Sequence, residues 1–91
     1  MKIVLTDSGR RQLCTAVETI HRRDRDRARQ FRAEIESLLT TPDEIDQRGA
    51  PLLEFADVPF REVHIDDYRF FFRAEGNTLW LVGVWNAQDF K

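Results

Sequence analysis

The sequence predicts a small α+β domain: an N-terminal strand, an antiparallel helical hairpin and then a three- to four-stranded antiparallel sheet. Two stretches with apolar residues at helical spacing follow one another after only a short polar break. A later stretch, residues 60–85, alternates in the manner of strands and contains two pairs of turn-forming residues. With 91 residues and no repeats or linkers, the chain is expected to form one domain over residues 1–91.

The first segment is predicted to be a strand that leads into a helix. Residues 1–5 contain an apolar run typical of a short strand. Three residues that commonly cap helices come next: Thr6, Asp7 and Ser8. The apolar side chains that follow recur at helical spacing, which predicts one buried stripe along the first helix: Leu13, Cys14, Ala16, Val17 and Ile20.

A second helix is predicted directly after the first. Asp24 is its expected N-cap. Its apolar residues again share one face: Ala28, Phe31, Ile35, Leu38 and Leu39. Two stripes of similar length are typical of an antiparallel helical hairpin. Beyond it, the sequence predicts a helical turn around Pro42–Gln47 and a strand over Leu52–Phe55.

The three strands after Pro59 are predicted to pair through two tight turns, at Asp66-Asp67 and at Gly76-Asn77. Because side chains alternate along a strand, these turns fix which residues share a face. One face is expected to join the core: Val63, Ile65, Tyr68, Phe70, Phe72, Leu79, Leu81 and Trp85. The other face mixes charged and large apolar residues: Glu62, His64, Arg69, Phe71, Arg73, Trp80, Val82 and Val84.

This mixed face is predicted to bind a protein partner, because arginines and aromatic residues are enriched at such interfaces. Arg73 is expected opposite Trp80, within reach of a cation–π contact. The residues expected to contact the partner are Arg69, Phe71, Arg73, Trp80, Val82 and Val84.

Composition argues against several other functions. No apolar run approaches the roughly 18 residues of a membrane span, and no signal peptide is recognisable, so a cytoplasmic protein is expected. The net charge of −2 provides no overall basic field for nucleic acid. No residues have the spacing of metal ligands and no glycine-rich phosphate loop occurs, so no metal or cofactor is expected.

The sequence offers few residues for RNA cleavage, which needs an acid, a base and positive charge at the phosphate. Arginines on the strands supply the charge, but they stay protonated at any working pH. His64 is the best-placed group for proton transfer. If the protein is a ribonuclease, the expected catalytic residues are Arg61, His64, Arg69 and Arg73.

The element order and the three strands resemble the RelE/ParE superfamily of toxins from bacterial type II toxin–antitoxin pairs. The resemblance covers nearly the whole chain. Its most specific pieces are Arg61-Glu62-Val63, Tyr68-Arg69-Phe70-Phe71-Phe72 and the stretch Leu79–Trp85. It implies a growth-inhibiting toxin, associated with plasmid stabilisation, that a cognate antitoxin neutralises with an extended or helical segment.

Two modes of action occur in that superfamily. ParE-like members poison DNA gyrase, and RelE-like members cut messenger RNA on the ribosome. The ending of the chain, residues 84–91, resembles the ParE-like ending more closely, so the resemblance implies gyrase poisoning, with the ribosome-dependent mRNA endonuclease as the alternative. Asn86 departs from the histidine of many relatives, which leaves open a third alternative: a non-toxic remnant that still binds an antitoxin.

Without an antitoxin, the mixed face is expected to mediate self-association, because it would expose an apolar patch. The alternative is that residues 86–91 or residues 40–51 fold over it.

Overall fold

The computed structural model describes residues 2–43, 45 and 60–87. Within them the elements are, in chain order, β1 (Lys2–Leu5), α1 (Asp7–Arg23), α2 (Arg25–Leu39), β2 (Phe60–Ile65), β3 (Tyr68–Glu75) and β4 (Thr78–Asn86). The predicted α+β class and element order are confirmed. In the predicted turn at Pro42–Gln47, Pro42, Asp43 and Ile45 are helical. The predicted strand at Leu52–Phe55 lies outside the described residues.

The two helices are joined by a single residue, Asp24. Its backbone N–H donates to the carbonyl of Ile20 at 2.8 Å and so ends α1. Its side chain accepts the N–H of Arg27 at 3.1 Å and so begins α2. The predicted N-cap of α2 is therefore confirmed, and the extended backbone of this residue separates the two helices.

The sheet is mixed rather than purely antiparallel, with the strand order β1-β4-β3-β2. β2 pairs antiparallel with β3, and β3 with β4, as predicted. β1 pairs parallel with β4, from Lys2 opposite Thr78 to Leu5 opposite Leu81. Parallel neighbours need a long connection, and here both helices and two strands lie between them in the chain.

The start of α1 is pressed against β4 where β1 ends. The backbone N–H and the hydroxyl of Thr6 both donate to the carbonyl oxygen of Leu81, each at 3.1 Å. The hydroxyl of Thr6 also accepts the N–H of Gly9 at 3.0 Å, which makes Thr6 the N-cap of α1. A Cβ atom on Gly9 would overlap the carbonyl oxygen of Leu81. Glycine is therefore needed for this close approach.

The core lies between the helices and one face of the sheet. Residues from the predicted apolar face of the second helix and from the predicted core face of the sheet are buried together, with exposed fractions of 5% or less: Phe31, Ile35, Phe70, Phe72 and Leu81. The Phe31 ring packs between two sheet residues, with centroid distances of 5.4 Å to Tyr68 and 6.1 Å to Phe70.

A β-bulge interrupts the pairing of β3 with β4. Phe72 pairs with Leu81, as the predicted turn at Gly76-Asn77 requires, but the preceding residue, Phe71, pairs with Gly83. Val82 is therefore the extra residue, and the register shifts by one from that point.

Beyond the bulge, the predicted faces are reversed. Val84 was predicted on the mixed face, but it is 6% exposed and belongs to the core. Trp85 was predicted in the core, but it is 46% exposed. Tyr68 accordingly pairs with Asn86, whereas the predicted turn at Gly76-Asn77 without a bulge would place it opposite Trp85. Both face predictions were wrong, because one inserted residue moves every later side chain to the opposite face.

The prediction that Cys14 is buried was also wrong, since its side chain is exposed. Ala16 is buried, and Leu13, Val17 and Ile20 are partly buried against the core. Successive residues are about 100° apart around a helix, so Cys14 lies beside the stripe that starts at Leu13.

Candidate protein-binding face

The side of the sheet opposite the helices carries the predicted binding residues other than Val84, which lies in the core. We call this surface the outer face, and it comprises the alternate residues of β2, β3 and β4 that do not face the core: Phe60, Glu62, His64, Arg69, Phe71, Arg73, Glu75, Thr78, Trp80, Gly83 and Trp85. Val82, the bulge residue, is partly exposed beside them. The strand register places these side chains in rows across the sheet.

Glu62 lies midway along β2, and its side chain is only 11% exposed. Arg69 donates its Nε–H to the Oε1 atom of Glu62. The Nε2 atom of His64 lies 2.6 Å from the same oxygen. The Arg69 guanidinium also lies 5.0 Å from the centroid of the Phe71 ring. One carboxylate thus holds both neighbouring basic side chains.

These contacts lower the pKa of Glu62. The hydrogen bond from Arg69 is the largest cause, and the charge of Arg69 and the interaction with His64 act in the same direction. Partial burial opposes them, because it disfavours the charged form. Glu62 is therefore ionised at neutral pH.

We expect Glu62→Gln to lower the free energy of unfolding by about 1–2 kcal/mol near pH 6, because charged hydrogen bonds are lost. A lowered folded-state pKa contributes stability above the unfolded value of about 4.3, and this contribution is lost as the pH falls through the folded-state pKa. The difference between the parent and the variant should therefore shrink on acidification, as measured by urea unfolding at about pH 6 and pH 3.5.

Glu75→Gln is the matched control, since Glu75 is also on the sheet but 67% exposed. Water screens such a carboxylate, so its replacement should change stability little at either pH. A Glu62→Gln effect that stays constant between the two pH values would contradict the role of the Glu62 charge.

Arg73 and Trp80 lie directly opposite one another, as predicted. Arg73 is exposed, and its Nη2 atom lies 3.3 Å from the Oε2 atom of Glu75. Trp80 is partly exposed. Of the described residues, however, Arg69 and Phe71 form the cation–π contact that had been expected for Arg73 and Trp80.

The residues considered for RNA cleavage do not form one group. Arg61 pairs with the buried Phe72 and so lies on the core-side register of β2. Its Nη1 atom donates to the carbonyl of Phe60 at 3.0 Å. His64 and Arg69 do lie opposite each other, but the carboxylate of Glu62 contacts both.

Sequence reasoning missed three contributors to this face. Phe60 lies opposite Arg73, and its signal was the alternation with Glu62. Glu62 had been placed on the face but not among the binding residues. Trp85 was assigned to the core, and the only hint of its true position was Gly83, since a glycine inside a strand often marks a bulge.

Two further observations concern the described segments as a whole. Among them, no helix is long and apolar enough to cross a membrane. Nor do three or more histidine, cysteine or carboxylate side chains in these segments form a group that could hold a metal ion.

The fold and the outer face together define a class: a small α+β protein whose exposed sheet face has the composition of a protein-binding surface. The sequence profile of a family described as the ParE toxin of the type II toxin–antitoxin system, parDE, matches residues 3–89. The chain belongs to this family. A comparison with curated proteins found no match.

Membership of this family confirms the predicted RelE/ParE superfamily, and the family name agrees with the ParE-like branch. The protein is a toxin of the type II toxin–antitoxin class, and such a toxin has an antitoxin as its partner.

Proposed function

We propose that this toxin acts by binding DNA gyrase, and that its antitoxin neutralises it by covering the outer face. Gyrase is the target implied by the resemblance to ParE-like toxins. The observation that carries the proposal is the position of Glu62, which puts an ionised carboxylate between the two basic side chains best placed for RNA chemistry.

An RNA phosphate approaching His64 or Arg69 would meet the negative charge of Glu62 at close range. Arg69 and His64 both contact that carboxylate, which partly neutralises the positive charge available to a phosphate. Arg61, the third candidate for phosphate binding, lies on the other register of its strand. The reduced positive charge supports binding to a protein, whereas an ionised Glu62 beside His64 could act as a general base, and the ribosome assay below distinguishes the two.

The outer face fits an antitoxin segment that carries both apolar and acidic residues. Phe71 and Trp80 are partly exposed and provide apolar anchors, and Arg73 is an exposed cation beside Trp80. Interfaces commonly use such a combination, in which aromatic and arginine anchors dominate the binding energy. The alternative cover, residues 86–91 or 40–51, falls mostly outside the described residues.

The target is tested by adding the purified toxin to a gyrase supercoiling assay and, in parallel, to a translating ribosome extract. We expect inhibition of supercoiling with accumulation of cleaved DNA, and no cuts in messenger RNA. Codon-linked mRNA cuts that disappear in His64→Ala would establish the RelE-like alternative. Antitoxin binding with neither activity would identify a non-toxic remnant.

We expect Arg73→Glu and Trp80→Ala each to weaken antitoxin binding about tenfold, or about 1.4 kcal/mol. The first change places a carboxylate where an acidic segment docks, and the second removes an apolar anchor. Isothermal titration with the antitoxin encoded beside the toxin gene measures the effect.

Arg29→Glu is the control for this experiment, because Arg29 is an exposed residue of α2, on the opposite side of the sheet. It makes the same change of charge away from the outer face. If Arg73→Glu and Trp80→Ala fold normally and bind the antitoxin as tightly as the parent, the outer face is not the antitoxin site.

A further inference from the structure

A groove of about 560 Å³ runs between α1 and the C-terminal half of β4. We call it the α1 groove. Its α1 wall carries Arg11, Thr15, Thr19 and Arg23, and its β4 wall carries Trp85 and Asn86. The four α1 residues are spaced four apart, so they lie along one side of the helix.

The α1 groove exists because β4 extends past its neighbour β1, which pairs only with Thr78 to Leu81. Beside the rest of β4 lies α1. The Oε1 atom of Gln12 accepts the backbone N–H of Val84 at 2.8 Å. Because this backbone N–H at the edge of β4 already has a partner, a bound peptide cannot pair with it as an added strand. Such a peptide is therefore held mainly through side chains.

Trp85 connects the α1 groove to the outer face. It pairs in register with Arg69 of the outer face, and it also lines the groove. Its indole lies against the bare backbone of Gly83, where a Cβ atom would come within 2.7 Å of the indole nitrogen. Among the described residues, Trp85 is the large hydrophobic side chain that is exposed. The two surfaces are therefore continuous around the edge of β4.

The α1 groove carries a cation at each end, and its Arg23 end adjoins a second pocket whose lining includes Asp24, Asp66 and Asp67. Arg11 and Arg23 are twelve positions apart, which is about 18 Å along a helix, and the described lining includes no aspartate or glutamate. The hydroxyls of Thr15 and Thr19 between them donate to carbonyls of the same helix, at 3.0 and 2.8 Å. Two separated cations with a neutral middle and a tryptophan match an elongated acidic peptide better than a single phosphate group.

We propose that the antitoxin segment covering the outer face continues past Trp85 into the α1 groove, where its carboxylates pair with Arg11 and Arg23. This inference rests on the proposed function, because it extends the same antitoxin interface around the edge of β4. The bulge at Val82 then contributes to antitoxin binding, because it places Trp85 at the junction of the two surfaces rather than in the core.

The test is isothermal titration of the antitoxin encoded beside the toxin gene against Arg11→Glu/Arg23→Glu and against Trp85→Ala. Each variant is expected to bind about tenfold more weakly than the parent or worse. The loss in the double variant should shrink at high salt, because the pairing is screened. Arg10→Glu/Arg22→Glu is the matched control: it makes the same charge change at the same spacing on α1, at exposed residues outside the groove lining.

Circular dichroism and thermal unfolding of each variant show whether its fold is intact. If Arg73→Glu and Trp80→Ala weaken binding but the groove variants bind like the parent, the inference is overturned. The outer face alone then remains the proposed antitoxin site. If only the groove variants weaken binding, the continuous interface is overturned in favour of the groove alone. If neither set weakens binding, the proposed antitoxin site itself fails.

A single-stranded oligonucleotide is titrated in parallel to test nucleic-acid binding, which a tryptophan and two arginines could also provide. We expect no binding that depends on Arg11 and Arg23. Oligonucleotide binding that is lost in Arg11→Glu/Arg23→Glu, with antitoxin binding unchanged, would overturn the inference in favour of a nucleic-acid site.

Discussion

Phe70→Ala is expected to lower the free energy of unfolding by about 3–5 kcal/mol, the usual cost of truncating a core aromatic. Phe70 is 1% exposed and packs against the ring of Phe31. On the sheet it lies between two buried valines, Val63 on β2 and Val84 on β4. The surrounding strands restrict collapse into the cavity, so the cost should be near the full value. Urea unfolding followed by circular dichroism measures it.

The matched control is Phe71→Ala, which removes the same side chain one residue later, on the outer face. Phe71 is only partly buried and lies under the guanidinium of Arg69. Its loss should cost clearly less stability than the loss of Phe70. A larger cost at Phe71 than at Phe70 would mean that the strand register is shifted by one residue.

Gly9→Ala is expected to destabilise the protein by about 3 kcal/mol, at the upper end of the range for overpacking. On an exposed helix the same change would stabilise by about 1 kcal/mol, because alanine is the better helix former. Here the added methyl group would overlap the backbone carbonyl of Leu81, and β4 cannot move away without disturbing the pairing with β1. Thermal and urea unfolding of the purified variant test this expectation.

Gly76→Ala is the control for the loss of a glycine as such. Gly76 has a φ of 59° in the turn between β3 and β4, and no heavy atom beyond its two chain neighbours lies within 4 Å of an added Cβ. The cost there should be only the roughly 1–2 kcal/mol of a left-handed backbone conformation. A Gly9→Ala variant as stable as the parent would show that α1 does not press on β4 as described.

The parts of the fold that sequence predicted well depend on local signals. Asp24 begins α2, as expected for its side chain. The turns at Asp66-Asp67 and Gly76-Asn77 also lie where predicted, and Asp66 and Gly76 have the positive φ angles that such turns require. Each of these features is decided by a few neighbouring residues.

The parts that sequence did not predict depend on distant contacts. Val84 and Trp85 are both apolar, so alternation alone could not show that Val82 is an extra residue and that the faces reverse after it. The same bulge changed which residues form the candidate site, because it places Val84 in the core and Trp85 on the outer face. The composition of the face was predictable from the sequence. The contacts of Glu62 with Arg69 and His64 could be identified only from the side-chain geometry.

The parallel pairing of β1 with β4 has a consequence for the time at which the toxin appears during synthesis. β1 leaves the ribosome before the other described elements, and β4, which lies between β1 and β3 in the sheet, leaves after them. A nascent chain that stops before Thr78 lacks Leu79 and Leu81 of the core and the strand to which β1 pairs. Because contacts so distant in sequence form only after both ends are available, an interrupted translation product should have neither the native sheet nor the outer face. Toxicity would then begin only after β4 has been synthesised.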